Sequence, residues 1–149
     1  MRTRVLIVDD TKTVRLHERT ILLGRGYEVR EALDGRQALE AVRTFRPHVV
    51  LMDIVMPHMD GIECCRKIKR NPELRQTKII MVSTKSDYPR INAAFHAGCD
   101  DYITKPIHAP EILSKVSELA KMSRTQEILS LTAKNHRDQD ITQTIPTGG

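Results

Sequence analysis

The sequence predicts an α/β domain in which a parallel sheet is covered by helices on both faces. Three observations point there. Short β-branched runs and stretches of helical spacing alternate five times over about 120 residues. The third run, "HVVLMD" (48–53), is apolar without alternation, as a strand buried on both faces must be. Glycines and capping residues fall between the runs rather than inside them.

The first strand is read at "RVLIVD" (4–9), followed by a helix whose inward face carries Val14, Ile21 and Leu22 and which closes at Gly24 and Gly26. "EVRE" (28–31) is the second strand. Asp34 is a plausible N-cap for the next helix, which buries Ala38, Val42 and Phe45. The third strand ends on Asp53, and Ile62, Cys65 and Ile68 mark the helix behind it, with Asp60-Gly61 at its start. "KIIMVS" (78–83) precedes a helix with Ile91, Ala94, Phe95 and Gly98 at i, i+3, i+4, i+7 spacing. "DYIT" (101–104) precedes a helix opened near Pro110 and marked by Ile112, Val116 and Leu119.

Composition narrows the class. The chain has 149 residues, 40% hydrophobic, enough for one domain with a core plus a tail. With no Trp, two Phe and three Tyr, that core is aliphatic. The longest apolar runs have four residues, so no membrane partner is expected. The apolar stretch near the N-terminus is cut by Asp9 and Asp10, which argues against a signal peptide. Three cysteines, two of them adjacent, suit a reduced compartment and place the protein in the cytoplasm. Their spacing does not suit zinc. The net charge of +5 invites a nucleic-acid reading. The cations sit at helical spacings without interleaved aromatics, however, so nucleic acid is not expected to bind through this domain. The positive balance is better read as steering a protein partner.

In an open parallel sheet, functional groups gather beyond the carboxyl ends of the strands. The first strand ends on Asp9 and Asp10, the third on Asp53 and the fourth on Ser83 and Thr84; Lys105 and Pro106 follow the fifth. Any one of these could be an ordinary polar strand end. Three acids, a hydroxyl and a lysine at successive junctions are harder to explain that way. Clustered carboxylates repel and call for a cation, and an all-oxygen set with an open side suits Mg²⁺. Cation, lysine and hydroxyl together suit a phosphoryl group, with one acid as its nucleophilic acceptor.

The residues that carry this chemistry also carry a resemblance. In "VLIVDD" (5–10), "DIVMPHMDG" (53–61), "MVST" (81–84) and "KP" (105–106), the chain resembles the CheY-like receiver domain of two-component response regulators. The spacings agree too, with thirty residues from Asp53 to Ser83 and fifty-two from Asp53 to Lys105. The resemblance covers residues 4 to about 121. It implies a flavodoxin-like, doubly wound five-stranded parallel sheet in the order 2-1-3-4-5, with five helices.

It also implies roles. Asp53 would be the phospho-acceptor, supplied by a sensor histidine kinase or phosphotransfer protein. Asp10, Asp53 and the Val55 backbone carbonyl would hold Mg²⁺, and Asp9 would act on the metal largely through a water. Lys105 would pair with the Asp53 carboxylate and then with the phosphoryl oxygens. Ser83 would hydrogen-bond a phosphoryl oxygen, and Tyr102 would be the switch aromatic. The fourth helix, fifth strand and fifth helix would form the surface for a downstream protein target, and Pro106 would follow a cis bond. Such a domain assists its own phosphotransfer and dephosphorylation but is not a metabolic enzyme; it works as a monomer or a phosphorylation-dependent dimer. Thr84 departs from the family's usual small residue and is expected to narrow access to the site. Val55, apolar, is expected to slow self-hydrolysis.

Three other readings compete. An aspartyl phosphatase needs a D-x-D pair that "VDDT" does not supply. A flavodoxin-like cofactor binder would not place two acids where a flavin phosphate must sit. A phosphorylation-independent docking module would be expected to lack an acid or the lysine. Residues 1–121 are thus read as the receiver and 122–149 as a C-terminal extension. In that extension Ile128, Leu129 and Leu131 prolong the fifth helix or form a short extra one, and a disordered tail or severed linker begins at Asn135. The domain is then either stand-alone or cut from an output domain.

Overall fold

The computed structural model describes residues 2–143. The strands are β1 (Arg4–Val8), β2 (Glu28–Ala32), β3 (Val49–Asp53), β4 (Lys78–Ser83) and β5 (Asp101–Thr104). The helices are α1 (Lys12–Gly24), α2 (Gly35–Phe45), α3 (Gly61–Arg70), α4 (Tyr88–His96) and α5 (Ala109–Gln143), with a 3-10 turn at Lys85–Asp87 before α4. All strand pairs are parallel and the order is β2-β1-β3-β4-β5. The expected alternation and strand order are both met; β4 and β5 have the bounds read from the sequence, and β1, β2 and β3 each differ at one end by one residue.

The central strands explain the unbroken apolar runs. Every residue of β3 and β4 is buried. Leu6, Val8, Val50, Met52, Ile79 and Met81 point into a core shared with α2 and α3. Their neighbours Val5, Ile7, Val49, Leu51, Ile80 and Val82 point into a second core under α1 and α5. Each side chain so buried contributes about 1.5–3 kcal/mol. Asp53 lies two residues beyond Leu51 and therefore emerges on the α1–α5 side.

Local chemistry sets the element ends. The Asp34 carboxylate accepts from Gln37 N at 2.8 Å, as expected of an N-cap, and Asp60 accepts from Glu63 N at 2.8 Å to start α3. Gly61 is needed for a close approach: a Cβ there would overlap the Asp53 carbonyl oxygen. Gly98 sits at φ +104, where other residues are strained. The Lys105–Pro106 bond is cis.

The extension differs from its sequence reading. α5 is helical through Gln143, past Asn135, where the sequence reading begins a disordered tail or severed linker; residues 144–149 lie outside the described residues. The segment contains no Gly or Pro before Pro146, and two contacts seat its first part on the domain: Glu127 with His48 and Ser130 with Gln76. Among the described residues no helix is long and apolar enough to cross a membrane.

Candidate functional site

Because β1 and β3 are neighbours, the acids that end them meet. Ligand-capable oxygens of Asp9, Asp10 and Asp53 lie within 4.8 Å of one another. Asp9 is buried and held from three sides. Its Oδ1 accepts from Thr11 N at 2.8 Å, its Oδ2 from Lys105 Nζ at 3.2 Å, and its backbone carbonyl from Arg15 Nη1 at 2.9 Å. Asp10 is exposed and gives the cluster its open side. Asp53 is 7% exposed, and Val55 N–H donates to its carboxylate.

Lys105 reaches this cluster from the end of β5. Its ammonium lies 3.6 Å from Asp53 Oδ2, an ion pair but not a hydrogen bond, and is closer to Asp9. The expected partnership with Asp53 is therefore shared, with Asp9 the nearer partner. Burial works against the lysine's charge, but Asp53, Asp9 and the hydrogen bond to Asp9 outweigh it and raise its pKa. Burial raises Asp53 to about 6; repulsion from Asp9 adds to this, Lys105 opposes it, and Asp10 adds again. One ammonium does not neutralise three carboxylates, so the site favours a further cation.

The remaining predicted residues are placed less uniformly. Ser83, at the end of β4, is fully buried and its Oγ has no hydrogen-bond partner. Val55 is 54% exposed in the loop after Asp53. Tyr102 is half exposed on β5, edge-on to Phe95 with centroids 6.1 Å apart and with Lys115 Nζ 5.5 Å from its ring centre. Thr84 stands at the start of the turn before α4. Its hydroxyl turns to Ser86 Oγ at 2.6 Å and Asp87 Oδ2 at 3.0 Å, capping the turn before α4.

Two residues near the site were given no role there in the sequence reading, which counted Arg15 among the cations of a solvated helix face. Arg15 braces Asp9 and also reaches Glu31 at 3.2 Å, tying α1 to β2. Glu18 is 1% exposed on the inner face of α1, and its Oε2 has no partner. Burial raises it to about 8, with Asp9 adding, Lys105 opposing and Asp53 adding. A signal existed, since Glu18 stands on the stripe of Val14, Ile21 and Leu22 at i+4, i−3 and i−4.

Comparison with known proteins agrees with this geometry. The family described as "Response regulator receiver domain" matches residues 5–117. Response regulator MprA of Mycolicibacterium vanbaalenii is 35% identical over 121 residues, covering 81% of this chain and 52% of that protein. DNA-binding response regulator MtrA of Mycolicibacterium smegmatis is 34% identical over 127 residues, covering 85% and 54%. The chain thus spans about half the length of the curated relatives it matches. Among solved structures, the signal receiver domain of a signal transduction histidine kinase from Syntrophus aciditrophicus superposes with a TM-score of 0.75 at 34% identity, covering 80% of this chain and 90% of that one. The CheY-like receiver domain protein from Methanospirillum hungatei JF-1 gives 0.77 at 28%, covering 85% and 99%. With the family match spanning most of the chain and the acids, hydroxyl and lysine at the same end of a 2-1-3-4-5 sheet, this chain belongs to the response regulator receiver domain family.

Proposed function

We propose that the domain is a phosphorylation-controlled switch in which Asp53 accepts a phosphoryl group from a histidine of a partner kinase or phosphotransfer protein. The observation that carries this reading is the convergence of Asp9, Asp10 and Asp53 with Lys105 at one end of the sheet, beside a buried hydroxyl without a partner. In the transfer an Asp53 oxygen forms a bond to phosphorus. The P–N bond of the phosphohistidine breaks, and its electron pair returns to the imidazole. Lys105 holds an oxygen of the arriving group, and the Ser83 O–H donates to another.

The donor set fits Mg²⁺. Three carboxylates lie within 4.8 Å of one another, and exposed Asp10 leaves an open side for retained waters. Asp10, Asp53 and the Val55 carbonyl would hold the ion, with Asp9 acting on it largely through a water. When bound, the ion neutralises charge on the transferring phosphoryl group. The remaining carboxylate charge keeps Lys105 protonated and oriented.

Downstream, Ser83 and Tyr102 are the residues through which the occupied pocket would reach the outer face of α4, β5 and α5. Lys85, Tyr88, Tyr102 and Lys115 line a cavity there that a protein target would occupy. The MtrA relatives are named DNA-binding and are about twice the length that this chain matches. In our reading the domain's own output is protein docking. The test is incubation with a small phosphodonor and Mg²⁺. One acid-stable, base-labile acyl phosphate should form and be absent from Asp53→Asn. Failure to form it with any donor would leave a phosphorylation-independent docking module as the better reading.

A further inference from the structure

The excess positive charge is not spread evenly. Many cations are already engaged: Arg15 and Arg19 with Glu31, Lys69 with Asp100, Arg90 with Asp60 and Lys115 with Asp101. Those between the C-terminal halves of α2 and α3 are not. Here Arg43, Lys67 and Arg70 are exposed around a groove completed by Leu39, Asn71 and Leu74. Arg43 and Arg70 make no ion pair among the described residues. Lys67 has only an exposed contact at 4.0 Å with Glu63, one turn away, which holds it weakly. No carboxylate lines the groove, and the nearby Glu73 is paired with Arg46 at 3.9 Å.

The floor of this groove is aliphatic. Leu74 is 2% exposed, and Leu39 packs partly buried against the core. Cations ringing two leucines match a ligand that brings carboxylates and an apolar side chain together. A nucleic-acid backbone would use the cations but not the leucines, and no aromatic side chain lines the groove to stack a base. The groove also lies away from the carboxylate pocket. α3 begins beside Asp53 and ends at Arg70, about 14 Å along the helix axis.

We propose that the α2–α3 groove binds an acidic segment of a partner protein, seating an aliphatic side chain between Leu39 and Leu74 with carboxylates on Arg43, Lys67 and Arg70. This contact is separate from the α4-β5-α5 face and does not require phosphorylation of Asp53.

The test uses the full chain, isotope-labelled for amide spectra. It is titrated with a short synthetic peptide carrying glutamates around two leucines, with the same peptide bearing serines for those leucines, and with a short DNA duplex. Chemical shifts should move at residues 39, 43, 67, 70 and 74 with the leucine peptide, equally in wild type and Asp53→Asn. The double variant Arg43→Gln, Arg70→Gln changes only exposed side chains and should stay folded, with a melting temperature only slightly lowered by the two lost helix-end charges, while binding about tenfold or more weakly. No binding, shifts elsewhere, or unchanged affinity in the double variant would overturn the proposal. Equal binding of the serine peptide would reduce the groove to a charge patch, and tighter binding of the duplex would make it a nucleic-acid surface; either result overturns it. Because the Asp53→Asn protein is included, failure here is distinguishable from failure of the phosphorylation reading.

Discussion

The two ends of the sheet treat polar groups in opposite ways. At the amino end they are paired. His48 Nδ1 accepts from Arg4 N at 3.0 Å, which puts the ring proton on Nε2, facing Glu127 Oε2 at 3.3 Å. Arg4 Nε reaches the carbonyls of Phe45 and Arg46, while Lys69 reaches Thr77 O at 2.8 Å and Asp100 at 2.9 Å. Gln126 Oε1 is the exception there among the described residues. At the carboxyl end Asp9 and Asp53 share one ammonium beside exposed Asp10, and Ser83 Oγ and Glu18 Oε2 are buried without partners. A buried polar group without a partner costs stability, so its persistence points to a ligand or a change of state. Polar groups at the base are thus mostly satisfied within the chain, and more of those at the top are not.

The strongest test of this contrast is Gly61→Ala. The added Cβ collides with the Asp53 carbonyl, so we expect a loss of about 3 kcal/mol in chemical denaturation, with the pocket displaced as well. Next, and of opposite sign, Glu18→Leu should stabilise the domain by about 2 kcal/mol at neutral pH, because it removes a buried carboxyl without a partner. A destabilised Glu18→Leu protein would mean that the carboxyl is satisfied after all. His48→Ala should cost about 1.5 kcal/mol, since it orphans the Arg4 amide and frees Glu127. Hydrogen exchange in α5 around Glu127 should then quicken.

The two ends should also answer pH oppositely. Glu18, raised to about 8 in the fold, keeps its proton where the unfolded chain has lost it above about 4.5, so its effect is to lower stability as pH climbs through that window. His48 is lowered, chiefly by burial and then by Arg4, with Glu127 opposing. The unfolded chain therefore takes up a proton below about 6.5 before the native one does, and stability falls toward acid. Denaturation midpoints across this range should soften their alkaline decline in Glu18→Leu, with the part due to Asp53 remaining, and soften their acid decline in His48→Ala.

Fold and pocket were legible for two reasons: a parallel sheet puts all its carboxyl strand ends on one side, and the resemblance to receiver domains implied the strand order that brings these ends together. Asp9, Asp53, Ser83 and Lys105 could be placed together before any coordinate was known. What stayed hidden depends on packing. That Glu18 lacks a partner follows from what α1 leaves around it, and that Lys105 lies nearer Asp9 than Asp53 is a matter of fractions of an ångström. The contact between His48 and Glu127 joins residues 79 positions apart and leaves no local pattern. The helical course of residues 135–143 was hidden by their polarity, which reads as tail.

The complete burial of β3 and β4 has a mechanical consequence. Strands locked between two cores have no compliance, so a load applied at Asp53 is not absorbed where it lands. The softer neighbour is β5, an edge strand of four residues with Tyr102 half in solvent and the Thr84–Asp87 turn beside it. The sheet is thus packed most tightly at its middle and most loosely at its two edges, of which β5 is the one that leads directly into Lys105 of the pocket.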